Sequence, residues 1–174
     1  MLRILLPSVR KFLEFAWASA LEACFRGNCA PYLTDLDIWL GDNEDGAVFS
    51  WNVLEAVPSL EKISIDSINP TLLGGAACQS ISAALRHGVL QNLQKLGFSG
   101  ILGYKNFIEL LDALGGSDCS QRITRLSFDY CEVGGEGMSA VAGLLCRDAF
   151  PALKGLYLFP KSRHHRRFPR PRLC

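Results

Sequence analysis

ITRLSF, DYCEVGGEG and MSAVAGLLC run without a break from residue 123 to residue 146, and after a short turn LKGLYL follows at 153–158. Ile123, Leu126 and Phe128 stand at positions one, four and six of an L-x-x-L-x-L phrase, and Leu153, Leu156 and Leu158 restate it 30 residues on. A fixed period of this size points to stacked repeats before any other architecture. Working outward, the phrase recurs at Leu33/Leu36/Ile38, Leu60/Ile63/Ile65 and Leu93/Leu96/Phe98, so the five copies are spaced by 27, 33, 30 and 30 residues. A sixth, degraded copy is expected at Leu2 and Leu5, 31 residues before Leu33.

Each phrase has the two-residue period of a strand, so positions four and six are expected to point inward and positions three, five and seven outward. Between the phrases the apolar period becomes helical. Val9, Phe12, Leu13, Ala16, Trp17, Ala20, Leu21 and Cys24 form the first stripe, and Phe49, Val53, Leu54 and Val57 the second. Ala77, Ile81, Ala84 and Leu85 follow, then Phe107, Leu110, Leu111 and Leu114, then Met138, Val141, Ala142 and Leu145. Stop signals fit these limits: Pro58 after the second stripe, Gly88 after the third, Gly115-Gly116 after the fourth. A short strand alternating with a helix makes one coil per repeat, and no coil buries its apolar edge alone, so neighbours must stack. Strands take less width than helices, and the stack should bend with its strands on the concave side.

The repeated phrase, and above all I-x-x-L-x-F-x-x-C-x-V-G-x-x-G from Ile123 to Gly137, resembles the leucine-rich repeat of the ribonuclease-inhibitor-like subclass. The resemblance covers residues 30–160 and extends to the first helix. It implies an α/β fold, a short right-handed solenoid arc with parallel strands on the concave face and helices on the convex face. It also implies a protein-binding scaffold and not an enzyme, because relatives of this class mostly bind other proteins through surfaces of their own. The family prefers Asn or Cys at position nine, where the side chain satisfies loop backbone. Here that position holds Gly41, Ile68, Ile101, Cys131 and Lys161, so Cys131 alone keeps the pattern.

Composition suits one soluble domain: 174 residues, 49% hydrophobic and 20% charged. The formal net charge of +1 hides a division. Residues 161–174 (KSRHHRRFPRPRLC) hold six of the 18 Lys/Arg and no acid, which leaves 12 basic against 17 acidic groups before them, a net of −5. The expected organisation is a repeat domain over 1–160 and a basic, disordered tail over 161–174, kept from helix by Pro169 and Pro171. The tail admits three readings: a nuclear-localisation or nucleic-acid patch that gains affinity by counterion release, an extension without a role, or a chain end standing where further repeats would follow in a longer protein. The seven cysteines lack C-x-x-C and zinc-finger spacing, which favours reduced thiols and an intracellular address, cytoplasmic or nuclear. No apolar run approaches a membrane span, and Pro7, Arg10 and Lys11 cut short any signal-peptide core.

No nucleophile elbow, phosphate loop or H-E-x-x-H occurs, and neither cofactor nor metal is expected. Gly134-Gly135-Glu136-Gly137 is read as the turn of the repeat, and His87 as a surface or capping residue near a helix end. The candidate partner site is the outward strand face. Position three reads Asp35, Lys62, Lys95, Arg125, Gly155, and position seven reads Trp39, Asp66, Ser99, Asp129, Phe159. Two readings stay open: a self-neutralising solvated face, or a mixed-charge groove with Trp39, Tyr130, Tyr157 and Phe159 as aromatic anchors, residue types that dominate interface hot spots. Leu153–Phe159 is an apolar, strand-like phrase followed by Pro160 and charge, so the C-terminal edge is expected to invite self-association.

Overall fold

A computed structural model describes residues 2–5, 23, 27, 32–40, 54, 56–67, 74–100, 103–131 and 133–159, with the backbone alone at 2–5, 39, 40, 67 and 74–77. The first two expected helical stripes, apart from Leu54 and Val57, and the whole of the basic tail lie outside these residues. Six strands form one parallel sheet in the order of the chain: β1 (Leu2–Leu5), β2 (Asp35–Leu40), β3 (Lys62–Ser67), β4 (Lys95–Ser99), β5 (Arg125–Asp129) and β6 (Gly155–Phe159). Three helices are described between them: α1 (Gly74–Arg86), α2 (Tyr104–Gly115) and α3 (Gly134–Cys146). The protein is thus an α/β structure in which each described helix follows its strand, with α1 packed on α2 and α2 on α3.

Register follows the phrase. Leu36, Ile63, Leu96, Leu126 and Leu156 pair across β2 to β6, and so do Ile38, Ile65, Phe98, Phe128 and Leu158. From β2 to β5 all eight of these side chains are buried, as a two-residue period with one face against the helices requires. Phe98 and Phe128 stack with ring centres 6.2 Å apart, and Phe107 of α2 meets Phe128 edge-on at 4.9 Å. The core therefore lies between the sheet and the helices.

The approach to β3, β4, β5 and β6 is as regular as the strands themselves. The carbonyl of Thr34 accepts the N–H groups of Glu61 and Lys62 at 2.8 and 2.9 Å. The carbonyls of Glu61, Gln94 and Thr124 do the same for residues 94 and 95, 124 and 125, and 154 and 155. One residue earlier, Leu60, Leu93, Ile123 and Leu153 donate to the carbonyls of Val57, Leu90, Ser120 and Phe150, three residues back. Those four acceptors are all buried. They mark a repeated core position that the six-letter phrase does not include.

Two expectations are corrected. β1 pairs Leu2 with Leu36 and Ile4 with Ile38, so Leu2 takes position four, not position one. The first copy is displaced by three residues from the predicted Leu2/Leu5 alignment, because LRILL offers apolar residues in either register and strand pairing selects one. In α3 the buried face is Gly137, Val141 and Leu144, whereas Met138, Ala142 and Leu145 are exposed. The reason is close approach. A Cβ on Gly137 would lie 3.0 Å from Phe107 Cδ1, and one on Gly115 would fall on Leu144 Cδ2. A glycine on each helix lets α2 and α3 meet, and this turns α3 by about one residue from the face its apolar residues mark. The α2 stripe is as expected, with Phe107, Leu110, Leu111 and Leu114 buried.

Helix ends use two devices. Gly88, at φ +69, donates to Leu85 while Val89 donates to Ala84, the paired bonds of a left-handed C-terminal cap. Gly116 ends α2 with φ −92, so there the glycines serve space and not backbone handedness. His87 is exposed beyond the end of α1. No described helix is long and apolar enough to cross a membrane.

Candidate functional site

Parallel sheets are normally covered on both faces. Here the described helices cover one. On the other, positions three, five and seven line a groove of about 560 Å³ bounded by Asp35, Lys62, Ser64, Lys95, Gly97, Arg125, Ser127, Asp129, Tyr157 and Phe159.

Strand pairing sets these side chains in three rows. Position three gives Asp35, Lys62, Lys95, Arg125 and Gly155, each directly paired with the next. Position seven gives Trp39, Asp66, Ser99, Asp129 and Phe159 in the same way. Both rows therefore run as the sequence predicted. Of the candidate residues, Lys62, Lys95, Arg125, Asp129, Tyr157 and Phe159 line the groove. Trp39 sits at position seven of β2, where only its backbone is described, and Asp66 occupies the neighbouring place on β3.

Tyr130 stands apart. It follows β5 with φ 60, a left-handed conformation uncommon outside glycine, and its N–H donates to Phe159 O at 2.7 Å. Gly100, one repeat earlier, has φ 74 and donates to Asp129 O at 2.8 Å. This bend at position eight ends the strand and takes Tyr130 out of the groove lining, although its side chain remains 43% exposed. Cys131, at position nine, is buried, with Sγ 3.6 Å from Asp129 O and 4.0 Å from Phe98 O, the backbone-satisfying place the resemblance implies for it.

The middle row is Asp37, Ser64, Gly97, Ser127 and Tyr157, of which sequence reading singled out Tyr157 and passed over the other four. Its three central members are small, and Gly97 has Ser64 Oγ and Ser127 Cβ just 3.5 and 3.9 Å from where its own Cβ would stand. They make a shallow polar floor. The signal was present, as small residues at a fixed place in three successive phrases, but small polar residues on an outward face carry no burial pattern to notice.

The row also decides which charges are occupied. Lys62 Nζ lies 2.7 Å from Asp37 Oδ1, a charge contact outside hydrogen-bond alignment. Arg125 holds its guanidinium carbon 5.0 Å from the Tyr157 ring centre, with Nη2 donating to the Tyr157 hydroxyl at 3.3 Å. On the strand before its own, Lys95 has Ser64 where Lys62 has Asp37, and among the described residues it makes no ion pair. Asp129 accepts from Ser127 Oγ at 3.1 Å through Oδ2, while its buried Oδ1 has no partner among the described residues.

Nothing in this geometry forms a nucleophile–base pair, and among the described residues no three His, Cys, Asp or Glu side chains converge as metal ligands. Two buried thiols lie in or near the helix layer. Burial pushes the Cys78 thiol up to about 12, with Cys131 and Glu109 adding to it. Burial also raises Cys119, against the opposing effect of its contact with Ser117 Oγ at 3.1 Å. Both are inert packing groups at neutral pH. The chain matches no family model and no curated protein.

Proposed function

We propose that the chain is a leucine-rich repeat protein of the ribonuclease-inhibitor-like subclass, a right-handed α/β solenoid that binds a protein partner through the open face of its sheet and performs no catalysis. The observation that carries this reading is the open face itself. A parallel sheet leaves one face without a described helix, and that face bears a row with three adjacent cations, a floor of small residues and a third row that holds Asp66 and Asp129, all in strict register. Exposed Tyr157 and Phe159, with Arg125 held against Tyr157, supply residue types enriched in interface hot spots. The four-fold recurrence of the same hydrogen bonds before β3, β4, β5 and β6 supports the repeat assignment. The four free cysteines described, three of them buried, suit a reducing intracellular compartment.

The test compares full chain with the triple variant Trp39→Ala, Lys95→Ala, Arg125→Ala at matched circular dichroism. A partner captured from cell extract by the first should be lost by the second. Equal capture would move the site to the helices or the tail. A second reading rests on the six Lys/Arg and no acid in residues 161–174: the tail holds nucleic acid. Deleting those residues should then abolish nucleic-acid retention and leave protein capture intact.

A further inference from the structure

We infer that the groove takes an amphipathic helix of the partner, laid across the strands, with carboxylates along the flank that meets Lys95 and Arg125. This deepens the proposed protein-binding role and rests on it.

Width is the first argument. Positions three and seven are four residues apart, about 13 Å at about 3.3 Å per residue. A helix with its side chains measures about 10–12 Å across, so it touches both rows at once. The floor between them is Ser64, Gly97 and Ser127, low enough for such a cylinder to settle. Length agrees. Strands β2 to β6, at about 4.8 Å apart, span about 19 Å, which is about three and a half helical turns.

Charge then fixes the orientation. At the centre of the basic row, Lys95 has no acid beside it, because position five of the preceding strand is Ser64 where Lys62 has Asp37, and position five of its own strand is Gly97. Arg125 next to it is held by a ring and a phenol, neither of which cancels its charge. The two adjacent cations present uncompensated positive charge toward the groove, and a carboxylate-bearing flank meets it. Across the floor, Asp129 repels that flank and favours lysine or arginine on the other side of the same helix. At the β6 end the charges stop, and Tyr157 and Phe159 offer apolar surface that is 39% and 56% exposed. A helix with an aromatic residue near one end matches all three features.

The probe is a fluorescein-labelled, alanine-based peptide long enough to be helical in water, about 18 residues. It carries glutamates at four-residue intervals on one flank, lysines on the opposite flank and a phenylalanine near one end. Titrated with the full chain and followed by fluorescence anisotropy, it should bind at low ionic strength and weaken as salt screens the contacts. Lys95→Glu with Arg125→Glu should weaken it by about tenfold or more. Lys105→Glu, an exposed cation on α2, should leave it unchanged and shows that fold and overall charge are not the cause. A peptide of identical composition with its charges scrambled over both flanks should bind as poorly as the intended peptide binds the double variant. Equal binding of the two peptides, no binding of either, or insensitivity to the double variant would overturn the helix. If at the same time the triple alanine variant still loses its natural partner, the groove remains the binding face and only the helical occupant is wrong.

Discussion

β5 and β6 carry the same phrase, yet they do not do the same work. Ile123, Leu126 and Phe128 are buried to 1% exposure or less, whereas Leu153, Leu156 and Leu158 are only partly buried. The helices differ in the same sense. α2 buries its whole predicted stripe, while α3 leaves Met138 and Leu145 48% and 43% exposed. β5 has a strand on each side and β6 is last in the sheet; α2 has a helix on each side and α3 packs on α2. Burial of the strand phrase is thus a property of having two neighbours and not of the phrase alone, and in α3 the turn imposed by the glycines adds to the difference. That is how an assembly of stacked units distributes its stability.

The sharpest way to break the comparison is to make the same substitution in both strands. Leu126→Ala should cost about 2–5 kcal/mol through lost burial and a cavity. Leu156→Ala, its partner one strand on, should cost less than half as much, since the site is already partly open to water. Equal shifts in urea midpoint would show that β6 is as well covered as β5.

Glycines sharpen it next. Gly137→Ala puts a methyl 3.0–3.1 Å from Phe107 and Val133, and overpacking of this kind costs about 1–3 kcal/mol. Gly143→Ala lies in the same helix with nothing within 4 Å of the new methyl, and it should stabilise by about 0.5–1 kcal/mol. Thermal unfolding of both variants reads the pair, and two shifts of the same sign would remove the close approach of α2 and α3 as the cause of the rotated helix.

Alkaline titration probes the interior at α1, which carries Cys78. The Cys78 thiol is raised in the folded state, so the fold favours its protonated form. Its contribution is complete below the unfolded value of 9.0 and is lost as pH climbs from there toward about 12. Stability measured at rising pH should fall across that window, and Cys78→Ala should make the fall shallower. The same slope in both proteins would mean that the thiol is not sequestered. The smallest effect is expected on the open face, where Lys95→Ala should stay within about half a kcal/mol of the parent.

Much of this was legible in the residues. A two-residue period tied to a fixed repeat is enough to place positions four and six inside and to align Lys62, Lys95 and Arg125 across three strands. The failures have physical causes. In α3 the apolar residues mark one face, but packing needs a small side chain more than a greasy one at Gly137, so the buried face turns. At β1 the apolar residues of LRILL fit two registers and only pairing decides between them. Ser120 hides a core position because it shares a place with Val57, Leu90 and Phe150 by hydrogen bonding and not by hydrophobicity. In the groove, Asp37 and Ser64 gave no signal in the sequence, since their effect is to neutralise one lysine and spare another.

The central claim is that the helix-covered side of the sheet holds the fold and the open side holds the partner. It is tested most directly by measuring partner affinity for the full chain and for Lys95→Glu with Arg125→Glu, each confirmed folded by its urea midpoint. The account predicts an unchanged midpoint, within about half a kcal/mol for exposed positions, together with loss of binding. Retained affinity in a folded double variant would contradict it.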